Sequence, residues 1–225
     1  MGTSGSAMAR FGLVIWDFDG TILDTETPTF EAASREYERY GLEPDLAVWQ
    51  DTLGSAQHEP WWEDLRRRVG GLDESDEDLF DRYGAEKDAL IAAADLRPGV
   101  RSSFDSFAEA GIPVALASSS PIEWVEGHTK RHELWDSFVA VATRTDVGAD
   151  RTKPHPDLFL LAADRAGVAP ADCLVIEDSN HGVAAAKAAG MKVVAFPNPM
   201  TSSQDFSDAD LVVHTLVGLR LEDIT

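Results

Sequence analysis

Six short runs of aliphatic and β-branched residues recur along the chain, and each closes on something polar or breaks at a turn. They are Leu13–Asp17, Pro113–Ser118, Phe138–Val141, Leu174–Asp178, Lys192–Phe196 and Leu211–Val213. Continuous apolar runs of this length, without alternation, predict strands covered on both faces. Helical patterns lie between them. Val100 to Ala110 stops at Gly111, Pro156 to Ala166 stops at Gly167, and the alanine-rich Gly182 to Ala189 stops at Gly190. Glycine just past a helix end supplies the left-handed residue that terminates it, and Pro156 suits a first helical turn. Alternating strand and helix predicts an α/β fold: a doubly wound, mostly parallel, Rossmann-like sheet.

One stretch breaks this rhythm. From the first strand to Leu96-Arg97-Pro98-Gly99 there are about seventy residues without a strand pattern, too many for an ordinary connection. Amphipathic helices are predicted at Pro28 to Tyr40, Leu46 to Leu53, Trp61 to Val69 and Leu79 to Ala93, punctuated by Gly41-Leu42-Glu43-Pro44 and Gly70-Gly71. The acidic run Asp73 to Asp78 reads as a solvated loop and helix start. The expected organisation is therefore a core built from residues 10–26 and 95–225, with a helical subdomain inserted at 27–94. Residues 1–9 are small and polar, resemble an expression scar, and are excluded from fold reasoning.

Composition narrows the partners. With 40 acidic against 19 basic residues the net charge is −21, which argues against nucleic acid or an anionic membrane surface. An anionic substrate would then need its positive field from a few placed cations, a metal and helix N-termini. No run reaches the roughly 18 apolar residues of a membrane span, so the expected setting is cytoplasmic. The single cysteine, Cys173, precedes Leu174-Val175-Ile176, excludes a disulfide framework, and reads as a small buried hydrophobe. Oligomeric state leaves no mark in the sequence.

In an open parallel sheet, ligands sit off the carboxyl ends of the strands. The strand ends deliver Asp17 and Asp19, then Ser118, then Glu177 and Asp178, while Lys153 lies in a loop beyond Val141. Two carboxylate clusters, a hydroxyl and an ammonium suit phosphoryl transfer with magnesium, where positioning and charge neutralisation dominate. In Asp17-Phe18-Asp19-Gly20-Thr21, Gly20 allows the turn that lets both aspartates converge. One carboxylate can attack phosphorus and the other can exchange a proton with the leaving oxygen and with water. Capping and turn hydrogen bonds are the plainer roles for such a pair. Asp17 and Asp178 can offer side-chain oxygens to Mg2+, and Asp19 its backbone carbonyl, with Glu177 beside them. Ser179 can meanwhile cap the following helix. Ser118, Ser119, Gly20 and Lys153 are the candidates for phosphoryl oxygens, with two nearby prolines stiffening the loop of Lys153. His181 is either a metal ligand or proton shuttle, or an ordinary helix-start histidine. On the insert, Gln57, His58, Trp61 and Trp62 either line a substrate pocket or, for the aromatics, fill the insert's own core.

The four motifs, Asp17-Phe18-Asp19-Gly20-Thr21, Ser118, Lys153 and Glu177-Asp178, occur in the order found in the haloacid dehalogenase superfamily. The resemblance spans residues 10–215 and is nearest to the β-phosphoglucomutase-like branch, which has a helical cap after the first motif. Asp24-Thr25-Glu26 and Glu177-Asp178-Ser179-x-x-Gly182 resemble further family stretches. The resemblance implies Asp17 as nucleophile and Asp19 as general acid and base. It implies Ser118 and Lys153 as holders of the phosphoryl group, and Asp178 as magnesium ligand with Glu177 ligating or supporting. The dehalogenases and phosphonatases of that superfamily lack an aspartate two residues after the nucleophile, so Asp19 implies phosphate-ester chemistry.

Two departures set the acceptor. Thr29 stands where β-phosphoglucomutases carry a histidine, and Gln57 where they carry a cap arginine that grips a second phosphate; Thr21 also replaces their common valine. Without that guanidinium a bidentate grip is lost. The expected activity is hydrolysis of a small phosphorylated metabolite through an aspartyl-phosphate. The alternatives are a phosphomutase and a non-catalytic phospho-aspartate sensor. A dinucleotide enzyme is disfavoured because no GxGxxG follows the first strand.

Overall fold

The computed structural model describes residues 11–54, 59–220 and 224. The assigned scar at 1–9 and the candidates Gln57 and His58 lie outside the described residues. Six parallel strands form one sheet: β1 (Leu13–Trp16), β2 (Val114–Ser118), β3 (Phe138–Thr143), β4 (Cys173–Glu177), β5 (Lys192–Ala195) and β6 (Leu211–Val212). Their order is β3-β2-β1-β4-β5-β6, so the winding reverses at β1 and β4, which pair in register from Leu13 with Cys173 to Trp16 with Ile176. A crevice opens at the carboxyl ends of those two strands.

Both sheet faces are covered, as the continuous apolar runs predict. Val14 and Trp16 pack toward α5 (Val100–Glu109) and α6 (Ile122–Arg131), with Val100, Phe104, Phe107 and Val125 in the same cluster. Leu13 and Ile15 face α8 (Asp157–Ala166) and α9 (Asn180–Ala188), against Leu158, Phe159, Ala162 and Val183. The period of two along β1 thus feeds two cores. Trp16 packs its ring 4.8 Å from Phe104. Cys173 opens β4, fully buried, and burial pushes its thiol up to about 11, which suits a hydrophobe better than a nucleophile.

Four helices, α1 (Glu26–Glu38), α2 (Leu46–Thr52), α3 (Trp61–Val69) and α4 (Asp76–Ala92), fill the stretch between β1 and α5. α4 begins within the acidic run, with the Ser75 hydroxyl accepting from the Asp78 N–H, so three acidic residues sit favourably in its first turn. Inside this insert Glu36 is 1% exposed, and Arg82 grips it at 2.9 and 3.0 Å through Nε while reaching Glu74 at 2.8 Å. A planar guanidinium satisfies a buried carboxylate in this forked geometry. The pattern reading contains no counterpart for α6 or for the short α7 (Arg144–Val147). The serine run before α6 carries no hydrophobic periodicity of its own. Among the described residues no helix is long and apolar enough to cross a membrane.

The insert touches the core close to the crevice. Gln204 donates to the Gln50 carbonyl at 2.6 Å, and the His181 Nδ1–H donates to the Leu53 carbonyl at 2.9 Å. Gly54 has φ +85°, and a Cβ there would lie 2.2 Å from the Ser179 hydroxyl. A side chain at position 54 would therefore push the insert off the core.

Candidate active site

The strand-end residues converge. β1 ends beside Asp17, which is 4% exposed, and β4 ends in Glu177 with Asp178 following it, 1% and 3% exposed. One oxygen from each of Asp17, Glu177 and Asp178 lies within 4.8 Å of the others. Lys153, 1% exposed, donates to Asp17 Oδ1 and, at 2.6 Å, to Glu177 Oε1. A buried lysine stays charged only beside such partners. Burial alone would lower its pKa, but Asp17 and Glu177 outweigh that and raise it. Asp17 is pushed up by burial, against the pull of Lys153 and with the charges of Glu177 and Asp19. Asp178 is pushed up by burial and then by Glu177 and Asp17. One ammonium thus faces three crowded carboxylates, a deficit of positive charge that hard oxygen ligands fill with a divalent cation. The residues fit such an ion.

Hydrogen bonds divide the carboxylates by availability. Glu177 Oε2 accepts from the Ser179 N–H at 2.7 Å and hydroxyl at 2.9 Å, while Oε1 takes Lys153. Asp178 takes one donor per oxygen, Thr21 Oγ1 at 3.0 Å and Asn198 Nδ2 at 2.7 Å. Each Asp178 oxygen keeps a lone pair free. The Ser179 hydroxyl also accepts from the Gly182 N–H at 3.1 Å, so it caps α9 as expected, while Asp178 keeps an oxygen beside those of Asp17 and Glu177.

Asp19 is held by four side-chain donors. Thr25 Oγ1 lies at 2.9 Å, Trp124 Nε1 at 2.8 Å, Ser120 Oγ at 2.6 Å and Ser118 Oγ at 3.3 Å. A pocket of about 420 Å³ above Asp17 and Asp19 is lined by Ser119, Ser120 and Lys153, and also by Glu26, Lys87, Trp124 and Arg144. Ser118 is fully buried beneath this lining. Gly20 is absent from it too: its N–H donates to the Leu23 carbonyl at 2.8 Å. Its φ is +77°, and a Cβ there would stand 2.4 Å from Asp178 Oδ2. Gly20 therefore serves the turn and the close approach of Asp178. Trp61 and Trp62 line a second, larger cleft within the insert, and His181 binds the insert's backbone.

Several residues escaped the sequence reading. Asn198 follows β5, so inspecting that strand's carboxyl end would have found it. Arg97 donates to the carbonyls of Gly20, Phe196 at 2.8 Å and Pro197 at 2.7 Å, tying the first motif's turn to the segment that carries Asn198. Trp124 and Ser120 reach Asp19 from more than 100 residues away, and no local pattern marks them.

Gly182 is a packing requirement. A Cβ there would lie 1.9 Å from the Glu177 carboxyl, whose oxygens are already fixed by Lys153 and Ser179. Gly182→Ala is expected to cost about 2–3 kcal/mol, as an overpacked site, and to cut turnover by displacing Glu177 from Lys153. Thermal melting and phosphate release check both. A melt unchanged from the parent would show that the carboxyl can move aside.

The family model of haloacid dehalogenase-like hydrolases matches residues 11–190. The chain is 37% identical to the putative phosphatase YhcW of Bacillus subtilis, over 92% of this chain and 93% of that protein. It is 35% identical to a probable pseudouridine-5′-phosphatase of Drosophila melanogaster, over 92% and 91%. The crystal structure of a putative β-phosphoglucomutase from Thermotoga maritima superposes with a TM-score of 0.72 at 29% identity, covering 89% of this chain and 93% of that one. With the converging carboxylates, the buried lysine and the 3-2-1-4-5-6 sheet, this establishes that the chain belongs to the haloacid dehalogenase-like hydrolases, among their phosphatases and β-phosphoglucomutase-like proteins.

Proposed function

We propose that this protein is a magnesium-dependent phosphatase of small phosphorylated metabolites that forms an aspartyl-phosphate on Asp17. The observation that carries this is the buried contact of Lys153 with both Asp17 and Glu177 at the mouth of the β1–β4 crevice. The phosphatase relatives support the same reading. An Asp17 oxygen attacks phosphorus in line, the bond to the ester oxygen breaks, and Asp19 delivers a proton to the departing alkoxide. Asp19 then takes a proton from the water that attacks the acyl-phosphate, releasing inorganic phosphate and restoring Asp17. Lys153 and the Ser118–Ser120 segment hold the phosphoryl oxygens. Asp17, Asp178 and the Asp19 carbonyl would hold Mg2+, which would supply charge that offsets the carboxylates and the phosphoryl oxygens. Glu177, with its oxygens already occupied, positions Lys153 and Ser179. The insert, residues 27–94, acts as the cap that excludes water.

Water as acceptor is favoured over a second sugar hydroxyl by Thr29. Its hydroxyl donates to the Thr25 carbonyl at 2.6 Å within its own helix, so no base or cation stands there. The test is phosphate release from a panel of phosphorylated metabolites, with and without magnesium, by parent and Asp19→Asn. Turnover that needs magnesium and falls about 100- to 10,000-fold in the variant is expected, the range for a lost general acid–base. Stable phosphorylation without release would favour a sensor, and sugar 6-phosphate formed from sugar 1-phosphate would favour a mutase.

A further inference from the structure

The pocket over Asp17 is too small to be the whole substrate site. It opens onto a cleft of about 1170 Å³ inside the insert, and the two share Glu26, Thr29 and Tyr83 in their linings. The larger cleft is aromatic. All three tyrosines and three of the six tryptophans lie between residues 27 and 94, and Tyr37, Trp49, Trp61, Trp62 and Tyr83 line this cleft. We propose that the phosphatase substrate carries a planar heterocycle that stacks in this cleft while its phosphoryl group lies over Asp17; this rests on the phosphatase reading above.

Three observations select that chemistry. First, the Trp49 indole N–H in this cleft is buried without an acceptor. An unmet buried donor is costly, and a turn of the Trp49 indole toward the cleft would bring it to a ring nitrogen or carbonyl of a heterocycle. Second, the cleft's arginines are already engaged. Arg67 pairs with Glu59 and Asp64, each at 2.7 Å, and Arg68 donates to the Glu43 carbonyl at 2.8 Å. Among the described residues no free cation in the cleft calls for a second phosphate. A flat ring gains stacking on the indoles, which line the cleft together with polar groups such as Glu43, Asp45 and Asp64. Third, the Glu26 carboxylate meets no donor among the described residues and stands where the two cavities join. It is placed to accept from a hydroxyl on the linker between ring and phosphate. At about 1170 Å³ the cleft exceeds the usual range of about 300–1,000 Å³ for ligand pockets, and an open-chain sugar phosphate would leave most of it empty.

Ribose 5-phosphate, glucose 6-phosphate, uridine 5′-monophosphate and FMN share one primary phosphate ester, so differences in kcat/KM report the rest of the molecule. At least one heterocyclic phosphate is expected to exceed both sugar phosphates by about tenfold or more, the scale of one aromatic stack. Trp49→Leu should lower kcat/KM for that heterocyclic phosphate at least five times more than for ribose 5-phosphate, and melting of the variant checks that it is folded. Riboflavin and uridine, which need no turnover, should quench the tryptophan fluorescence saturably in the parent. If the sugar phosphates are hydrolysed as well as or better than both heterocyclic ones, the cleft assignment is wrong and the phosphatase stands. If nothing is hydrolysed but riboflavin or uridine still binds and Trp49→Leu loses it, the cleft stands and the phosphatase reading falls. Neither turnover nor quenching would sink both.

Discussion

Asp17→Asn should lower phosphate release by at least about a thousandfold, the scale seen when a nucleophile is removed from an otherwise intact site, and should melt no lower than the parent in metal-free buffer. The amide keeps the shape and an oxygen for Lys153 but cannot attack phosphorus. Its effect on the fold follows from the charges. One oxygen from each of Asp17, Glu177 and Asp178 lies within 4.8 Å of the others; beyond burial, Glu177 makes both aspartates harder to ionise, and Asp17 adds to this at Asp178. Removing one negative charge relieves that repulsion, while Lys153 keeps Glu177 at 2.6 Å. The parent should gain more melting temperature from added magnesium than the variant does, because a ligand has lost its charge. Turnover within tenfold of the parent would move the nucleophile elsewhere. A melt lower by about 10 °C, some 2 kcal/mol or more in a domain of this size, would make Asp17 a structural residue first.

How much of this was legible beforehand depended on locality. The strands could be read because burial on both faces leaves uninterrupted apolar runs, as in Leu13–Trp16 and Leu174–Ile176. Asp17, Asp178 and Lys153 could be found because a strand end or a proline-stiffened loop placed them. Ser118 was placed at the end of β2, and its buried hydroxyl donates to Asp19 at 3.3 Å. Trp124, Asn198 and Arg97 remained hidden because their partners are distant: Trp124 meets a residue 105 positions earlier, and Arg97 bridges carbonyls on both sides of the sheet's switch point. Side-chain direction across such separations is set by packing, and no local periodicity encodes it.

The charge balance was informative in a similar way. A chain with net charge −21 concentrates its few useful cations where the anion must go. Lys153, Lys87 and Arg144 come from three separate stretches to line one pocket of about 420 Å³. Lys87 stands 4.6 Å from the Trp124 ring centroid, and Trp124 in turn donates to Asp19. The insert therefore contributes a cation to the pocket that also steadies the aromatic partner of the proposed acid–base.

Of the three cations, Lys153 bears the most on stability as well as on turnover. Lys153→Met should leave the phosphatase inactive and, in metal-free buffer, destabilise the fold by about 3–5 kcal/mol, the range for breaking a buried pair from one side. Methionine fills nearly the same space and keeps the contact with Phe159, whose ring lies 5.1 Å from the ammonium, so the loss reports charge and hydrogen bonding in place of packing. The parent ammonium satisfies Asp17 and Glu177 together; without it three buried carboxylates face one another. Magnesium should recover part of the melting temperature, because it offsets the same charges, but it should not restore turnover, because it cannot supply the donor that Lys153 directs at the phosphoryl pocket. Urea unfolding with and without magnesium, beside phosphate release, separates the two effects. If the metal-free variant is as stable as the parent, the carboxylates do not depend on Lys153 for their burial, and its contribution lies wholly in holding the phosphoryl group.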